Sequence, residues 1–314
     1  MRLELFKLWH FVFLGGVTAF FVVFTIFCAI FLRNKKRASK IVVLVLLLTA
    51  TALHFLRLAF PSSMADASGV RLIHYITPES ICAFNAIVFP FFFLFGGRRL
   101  KDYMFYVGVF TCVVSVIYPT IIGNKAMEFD TWRFFLMHEI LAFVPIIMII
   151  TGQHKIDWRW SWVSIYILLG VITIIFANEV MLAATGLIVH EDFAEIFERN
   201  GRNIAMIFGP AKELEGLMWF FNALTPPFFR TAPVDVPIMD LAKGDVFWWP
   251  IVWVIIPGTV LFGVFFFALS LLFDFKGFWR DIARGGKGKR LTHIKKHAQK
   301  ITQSDIDETW EYIP

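Results

Sequence analysis

The chain has 314 residues, of which 58% are hydrophobic, 38 are Phe and only 17% are charged. That composition excludes a soluble globular domain, because the charges crowd into short stretches between long apolar runs. The net charge of +6 is not a nucleic-acid signal, since much of it stands directly beside the last apolar run.

Seven apolar runs reach about 18 residues, the length that crosses a hydrocarbon layer of about 30 Å as helix. They cover residues 9–32, 41–60, 78–95, 103–122, 132–151, 161–182 and 247–273. A span in lipid must satisfy its backbone N–H and C=O groups internally, so each run is predicted to be helical. The expected fold is an all-α polytopic bundle of seven transmembrane helices over 1–275, followed by a tail over 276–314. The first run lacks a small-residue cleavage site and is read as a retained helix.

Orientation follows from the Lys and Arg counts of the connections. The first, third and fifth loops and the tail carry 19 of the 30 basic residues, five of them between Arg33 and Lys40. This predicts an N-terminus outside and a C-terminus in the cytoplasm. The tail segment 276–300 has nine Lys or Arg against the single acid Asp281. It is read either as a plain topology signal or as a tail that anchors to anionic lipid headgroups. Cys28, Cys82 and Cys112 fall at three different depths, which argues against a structural disulfide.

Polar residues within the runs are the informative ones, because ionisable groups in a span are costly and usually face the bundle interior or a wet cavity. The second run carries Thr51, His54 and Arg57 at intervals of three, along one face near its outer end. The third opens with Pro78 and then places Glu79, Cys82 and Asn85 at the same interval. The fifth begins after a plausible cap at Asp130 or Thr131 and carries His138 and Glu139. The sixth ends with Asn178 and Glu179. All of these fall within roughly the outermost 10–12 Å of their helices at 1.5 Å per residue. A polar chamber opening toward the outer face is expected.

A thiolate is the nucleophilic form of Cys, and a free thiol is mostly protonated at neutral pH. An adjacent imidazole can accept the proton, and a carboxylate can orient that imidazole. Cys82 is therefore the candidate nucleophile and His138 the candidate base. Glu139, Glu79 or His54 would orient or position, with Arg57, Asn85, Asn178 and Glu179 in support. Singly, Arg57 also reads as a residue snorkelling to the surface, and the two Asn residues as interhelical glue.

The segment Thr77-Pro78-Glu79-Ser80-Ile81-Cys82, followed by Asn85 and a Phe-rich run, resembles the third-helix motif of the YwaF-like bacterial integral membrane proteins. These are relatives of the eukaryotic transmembrane-protein-164 family. His138 at the start of the fifth run, Asn178 with Met181 and Leu182, and Gly244 before Trp248-Trp249-Pro250 extend the similarity. Ser80 stands where bacterial members usually carry His, and Glu179 where an aromatic is usual. The resemblance implies a bacterial plasma-membrane protein. It also implies Cys-dependent acyl transfer between glycerophospholipids, with Cys82 forming a thioester and Asn85 or Asn178 donating to the oxyanion. The implied partners are membrane phospholipids, and no cofactor or metal is expected.

Residues 187–245 form the long outer loop. Within it Leu214, Leu217, Met218, Phe221 and Leu224 recur at helical spacing, which suits an amphipathic interfacial helix, either a lid or a cover for the bundle. Two other functions fit the same polar residues. One is a metal-dependent membrane hydrolase using His54 and His138 with Cys82 or Glu79. The other is a transporter or receptor whose chamber binds a polar lipid or small molecule.

Overall fold

A computed structural model describes residues 2–60, 76–117, 119, 124–187, 206–210, 212–237 and 240–283. Among the described residues the architecture is helical, with isolated bridges and no strands. The helices are α1 (Leu8–Phe31), α2 (Lys36–Phe55), α3 (Ile81–Phe95), α4 (Arg98–Ile117), α5 (Phe129–Ile150), α6 (Val163–Ala184), α7 (Met218–Leu224) and α8 (Ile255–Ala283). Six of them, all but α3 and α7, are long and apolar enough to cross a membrane.

The third predicted span, 78–95, is realised as a helix of 15 residues. At 1.5 Å per residue that is about 22 Å, short of a full hydrocarbon layer. Its shortening begins at the sequence level. Pro78 and the extended Ser80 keep the first residues out of the helix, and the Ser80 hydroxyl caps it by accepting from the Ala83 N–H at 3.2 Å.

α5 is the hub of the bundle. It packs on α1, α2, α3 and α4, and 72% of its apolar window is buried, against 22% for α1, α2 and the last helix. The outer helices are apolar on both sides. In α1, Phe13, Val17, Phe21 and Cys28 are buried while Phe20, Val23, Phe27 and Ile30 are exposed. A helix that is hydrophobic all round belongs in a lipid environment.

Two prolines open the backbone of this core, and a neighbouring helix answers each. Pro90 in α3 has no N–H, so the Ala86 carbonyl loses its helical donor. The Thr51 hydroxyl of α2 donates to that carbonyl at 2.6 Å. Pro145 in α5 likewise frees the Leu141 carbonyl. There Gly108 of α4 lets the two backbones meet, since a Cβ at that position would collide with the Leu141 oxygen. Polar satisfaction in an apolar core therefore also sets the α2–α3 contact, and close backbone approach the α4–α5 contact.

α8 starts later and ends later than the predicted 247–273. Ile251 at φ 66 and a 3₁₀ turn over Val252–Val254 precede it, and its helical geometry breaks at Asp274 before continuing to Ala283. The basic stretch 276–300 and the acidic end lie outside the described residues from 284 onward. In the outer loop, the expected amphipathic helix is a 3₁₀ stretch, Lys212–Leu217, leading into the seven-residue α7. Phe221 of α7 packs with Trp248 and Trp253 in a small cluster of its own. All three cysteines are free thiols.

The Thr51–Ala86 bond is expected to stabilise the bundle by about 1–3 kcal/mol, the range for leaving a buried carbonyl unpaired. Thr51→Val should lower thermal stability in detergent by that amount. The same substitution should cost less in a Pro90→Ala background, where the helix supplies its own N–H. Equal losses in both backgrounds would refute the pairing.

Candidate functional site

The polar residues singled out in sequence gather at one end of the bundle, around α3. This short helix packs on α2, α4, α5 and α6, so it places Glu79, Cys82 and Asn85 among its four neighbours. Its entry is tied down from two sides. His54 of α2 donates Nε2–H to the Ile76 carbonyl at 3.0 Å, and the Asn178 amide of α6 donates to Thr77 Oγ1 at 3.1 Å. Both residues are thus engaged as interhelical braces.

The strongest electrostatic feature is a chain of alternating charges. Glu79 pairs with Arg57 at 2.9 Å, Arg57 faces Asp130 at 3.6 Å, and Asp130 pairs with Arg133 at 2.7 Å. Both Nε and a terminal nitrogen of Arg133 converge on one Asp130 oxygen, while Asn124 donates to the other at 3.4 Å. Glu79, Asp130 and Arg133 are buried. Arg57 is thus held by partners, in a 3₁₀ turn that continues α2. Arg133 was not singled out by the sequence reading, and Asp130 figured only as a cap. Their i,i+3 spacing at the head of the fifth apolar run was the available signal.

Cys82 and His138 both lie within reach of the Arg133 charge. The thiol of Cys82 is half-buried and sits beside the hydroxyls of Thr111 and Ser115 on α4. His138 is buried, and its Nδ1–H donates to the Phe134 carbonyl at 2.7 Å. That bond leaves Nε2 of a neutral ring as a lone-pair acceptor. Among the described residues no hydrogen bond joins the thiol and the imidazole.

Asn85, one turn after Cys82, is completely buried. Its Oδ1 accepts from the Tyr103 hydroxyl at 2.9 Å, and its Nδ2 has no partner. A buried amide N–H₂ without an acceptor is costly and calls for a function or a ligand. Glu139, by contrast, turns away from this group. It accepts from Thr18 of α1 and meets the Cys112 thiol of α4. Glu179 is buried at the end of α6. No group of three or more His, Cys, Asp or Glu among the described residues is placed to hold a metal ion.

Long apolar helices around a buried polar cluster define an integral membrane protein of the polytopic helical class. The chain belongs to the TMEM164 family, whose model matches residues 5–207. That stretch takes in α1 to α6 and every residue of the cluster. Neither the curated proteins nor the solved structures searched give a match.

Asp130→Asn would leave two guanidinium groups facing each other without their shared anion. Breaking a buried pair on one side costs about 3–5 kcal/mol, so a large fall in melting temperature is expected. Adding Arg133→Met to Asp130→Asn should recover part of that loss. A single variant as stable as the parent chain would show that the network carries no stability.

Proposed function

We propose that the protein transfers acyl groups between glycerophospholipids through Cys82. The family relationship and the resemblance of the Thr77–Cys82 segment motivate this reading. The observation that carries it is Asn85, which directs an unpartnered amide donor from the turn after the thiol, with its other end locked to Tyr103. A preorganised, desolvated donor of this kind stabilises the oxyanion of acyl transfer without reorganising as charge develops.

In this mechanism His138 Nε2 takes the Cys82 proton, and the thiolate attacks the ester carbonyl of a phospholipid. The tetrahedral oxyanion is held by Asn85 Nδ2. Its collapse breaks the ester C–O bond, and the lysophospholipid alkoxide leaves with the proton from His138. The Cys82 thioester then receives the hydroxyl of an acceptor lysophospholipid, or water. His138 removes that proton and returns it to the departing thiolate. The Nδ1–H bond to the Phe134 carbonyl supports the required tautomer. A free enzyme can hold base and nucleophile apart until substrate is bound. Arg57 and Glu79 brace the entry of α3, and His54 and Asn178 hold the residues just before it.

The reading includes seven spans, with α3 crossing together with its extended entry Thr77–Ser80, an N-terminus outside and a C-terminus inside. The polar cluster then opens to the outer leaflet of a bacterial plasma membrane. The basic tail meets anionic headgroups on the opposite side.

The test is acyl transfer from a labelled phosphatidylcholine to a lysophospholipid by purified protein in nanodiscs. Cys82→Ala should abolish turnover and the covalent acyl adduct seen by intact mass. His138→Ala should lower the rate by about 10²–10⁴. Asn85→Leu should lower it by about 10²–10³ while the thiol still alkylates normally. Turnover unchanged in Cys82→Ala would end the thioester mechanism.

A further inference from the structure

A second concentration of charge lies at the opposite end of the bundle and is not used by the proposed chemistry. α3 ends at Gly96, whose N–H donates to the Phe92 carbonyl at 3.0 Å, and α4 begins two residues later at Arg98. Facing this tight connection is the turn after α5. Gly152 there adopts φ 78, and the Gln153 N–H folds back on the Met148 carbonyl at 2.8 Å. An arginine stitches the two connections together, since Arg98 donates to the Lys155 carbonyl at 3.1 Å.

Between them is an open cavity of about 470 Å³ lined by Gly96, Gly97, Arg98, Lys101, Gly152, Gln153, His154 and Lys155. Three of these side chains are cationic and none is acidic. Lys40 of α2 is near enough for its charge to act on Lys101. Two neighbouring acids are already paired, in part with residues of the cavity itself. Asp102 is shared by His154 at 2.9 Å and Arg99 at 3.2 Å, and Asp157 is clasped by Arg159 at 2.8 Å with Arg98 at 3.8 Å. Burial pushes the Asp157 carboxyl up, but the hydrogen bonds and charge of Arg159, with Arg98 behind them, outweigh it and hold the group below the usual carboxylate range. Like charges so arranged are held together at a cost that a bound anion offsets.

Two further observations describe the anion. Gln153 donates its Nε2 to Thr151 at 3.0 Å, while its Oε1 is buried without a partner. That orphaned acceptor suits the P–OH of a monoprotonated phosphate monoester. Directly before the cavity, α3 leaves Phe91, Leu94 and Phe95 exposed. At i, i+3 and i+4 they form one apolar stripe leading along the bundle from the cavity.

We propose that this cavity binds the phosphate headgroup of an anionic glycerophospholipid in the leaflet at that end, with an acyl chain along the Phe91–Leu94–Phe95 stripe. Arg98, Lys101 and Lys155 supply the countercharge, and Gln153 Oε1 accepts from the P–OH of the monoprotonated phosphate. The space beside Gly97 and Gly152 is open, since a Cβ at either would meet nothing within 4 Å. The site stands apart from the Cys82 cluster and does not depend on acyl transfer.

The test is native mass spectrometry of the full chain in detergent, titrated separately with dioleoylphosphatidate, dioleoylphosphatidylcholine and inorganic phosphate. Phosphatidate should bind preferentially. Each cationic side chain should contribute about fivefold to affinity, so Arg98→Gln/Lys101→Gln/Lys155→Gln should bind roughly a hundredfold more weakly. Gly97→Leu, which adds a bulky side chain to the cavity lining and keeps every charge, should also lose binding, and it decides the matter alone if the triple variant does not fold. The charge-matched tail variant Lys287→Gln/Lys289→Gln/Arg290→Gln should retain the cavity-dependent binding. Undiminished phosphatidate binding by Gly97→Leu would overturn the site. Displacement of phosphatidate by equimolar inorganic phosphate would overturn its assignment to a lipid and mark a free-anion site.

Discussion

The carboxylate of Asp130 stands between two guanidinium groups, and the polar end of the bundle is organised around it. Arg133 comes from its own helix and Arg57 from the end of α2, with Glu79 closing the chain of charges at the entry of α3. In low-dielectric surroundings an unpaired member of such a series would be prohibitively costly. The three segments must therefore meet in one register. That register sets where α3 begins, and α3 carries both the thiol and the amide on which the proposed chemistry depends.

The same requirement, that polar groups be satisfied away from water, shapes the backbone beneath the cluster. Pro90 and Pro145 each remove a helical donor, and each freed carbonyl meets a neighbouring helix, one through the Thr51 hydroxyl and one through the close approach at Gly108. α5 is thereby fixed to α4 and α3 to α2. The contacts lie deep in the bundle, between two ends of different character. One end holds paired, buried charges and a desolvated amide. The other holds basic side chains around an open cavity, with its acids already neutralised. An acyl-transfer site needs a dry pocket with fixed dipoles, whereas a headgroup site needs cations in contact with the interface.

The asymmetry between Asn85 and Asn178 shows how position decides role. Both were equal candidates for an oxyanion donor in sequence. Asn178 spends its amide on Thr77, at the entry of α3, whereas Asn85 binds Tyr103 through its oxygen and leaves its nitrogen unpaired, one turn after Cys82. Glu139 and His138 divide in a similar way. Adjacent residues on a helix point about 100° apart, so the imidazole stays in the field of Arg133 while the carboxylate turns to Thr18 and Cys112.

The all-helical membrane class, the approximate helix positions and the gathering of polar groups at one end were legible from the residues. Run length, hydropathy and spacing are local properties, and a lipid environment leaves a lone span only one way to satisfy its backbone. The reduced length of α3 was less visible, because an apolar run does not show where Pro78 and the Ser80 cap delay the helix. Arg133 was hidden at the edge of a span, where a charge reads equally well as part of a loop. Which carboxylate faces which cation, which proline meets a hydroxyl and which a glycine, and which asparagine keeps a free donor were decided by tertiary structure alone. Those outcomes depend on the rotation of one helix against another, and packing between helices sets that rotation.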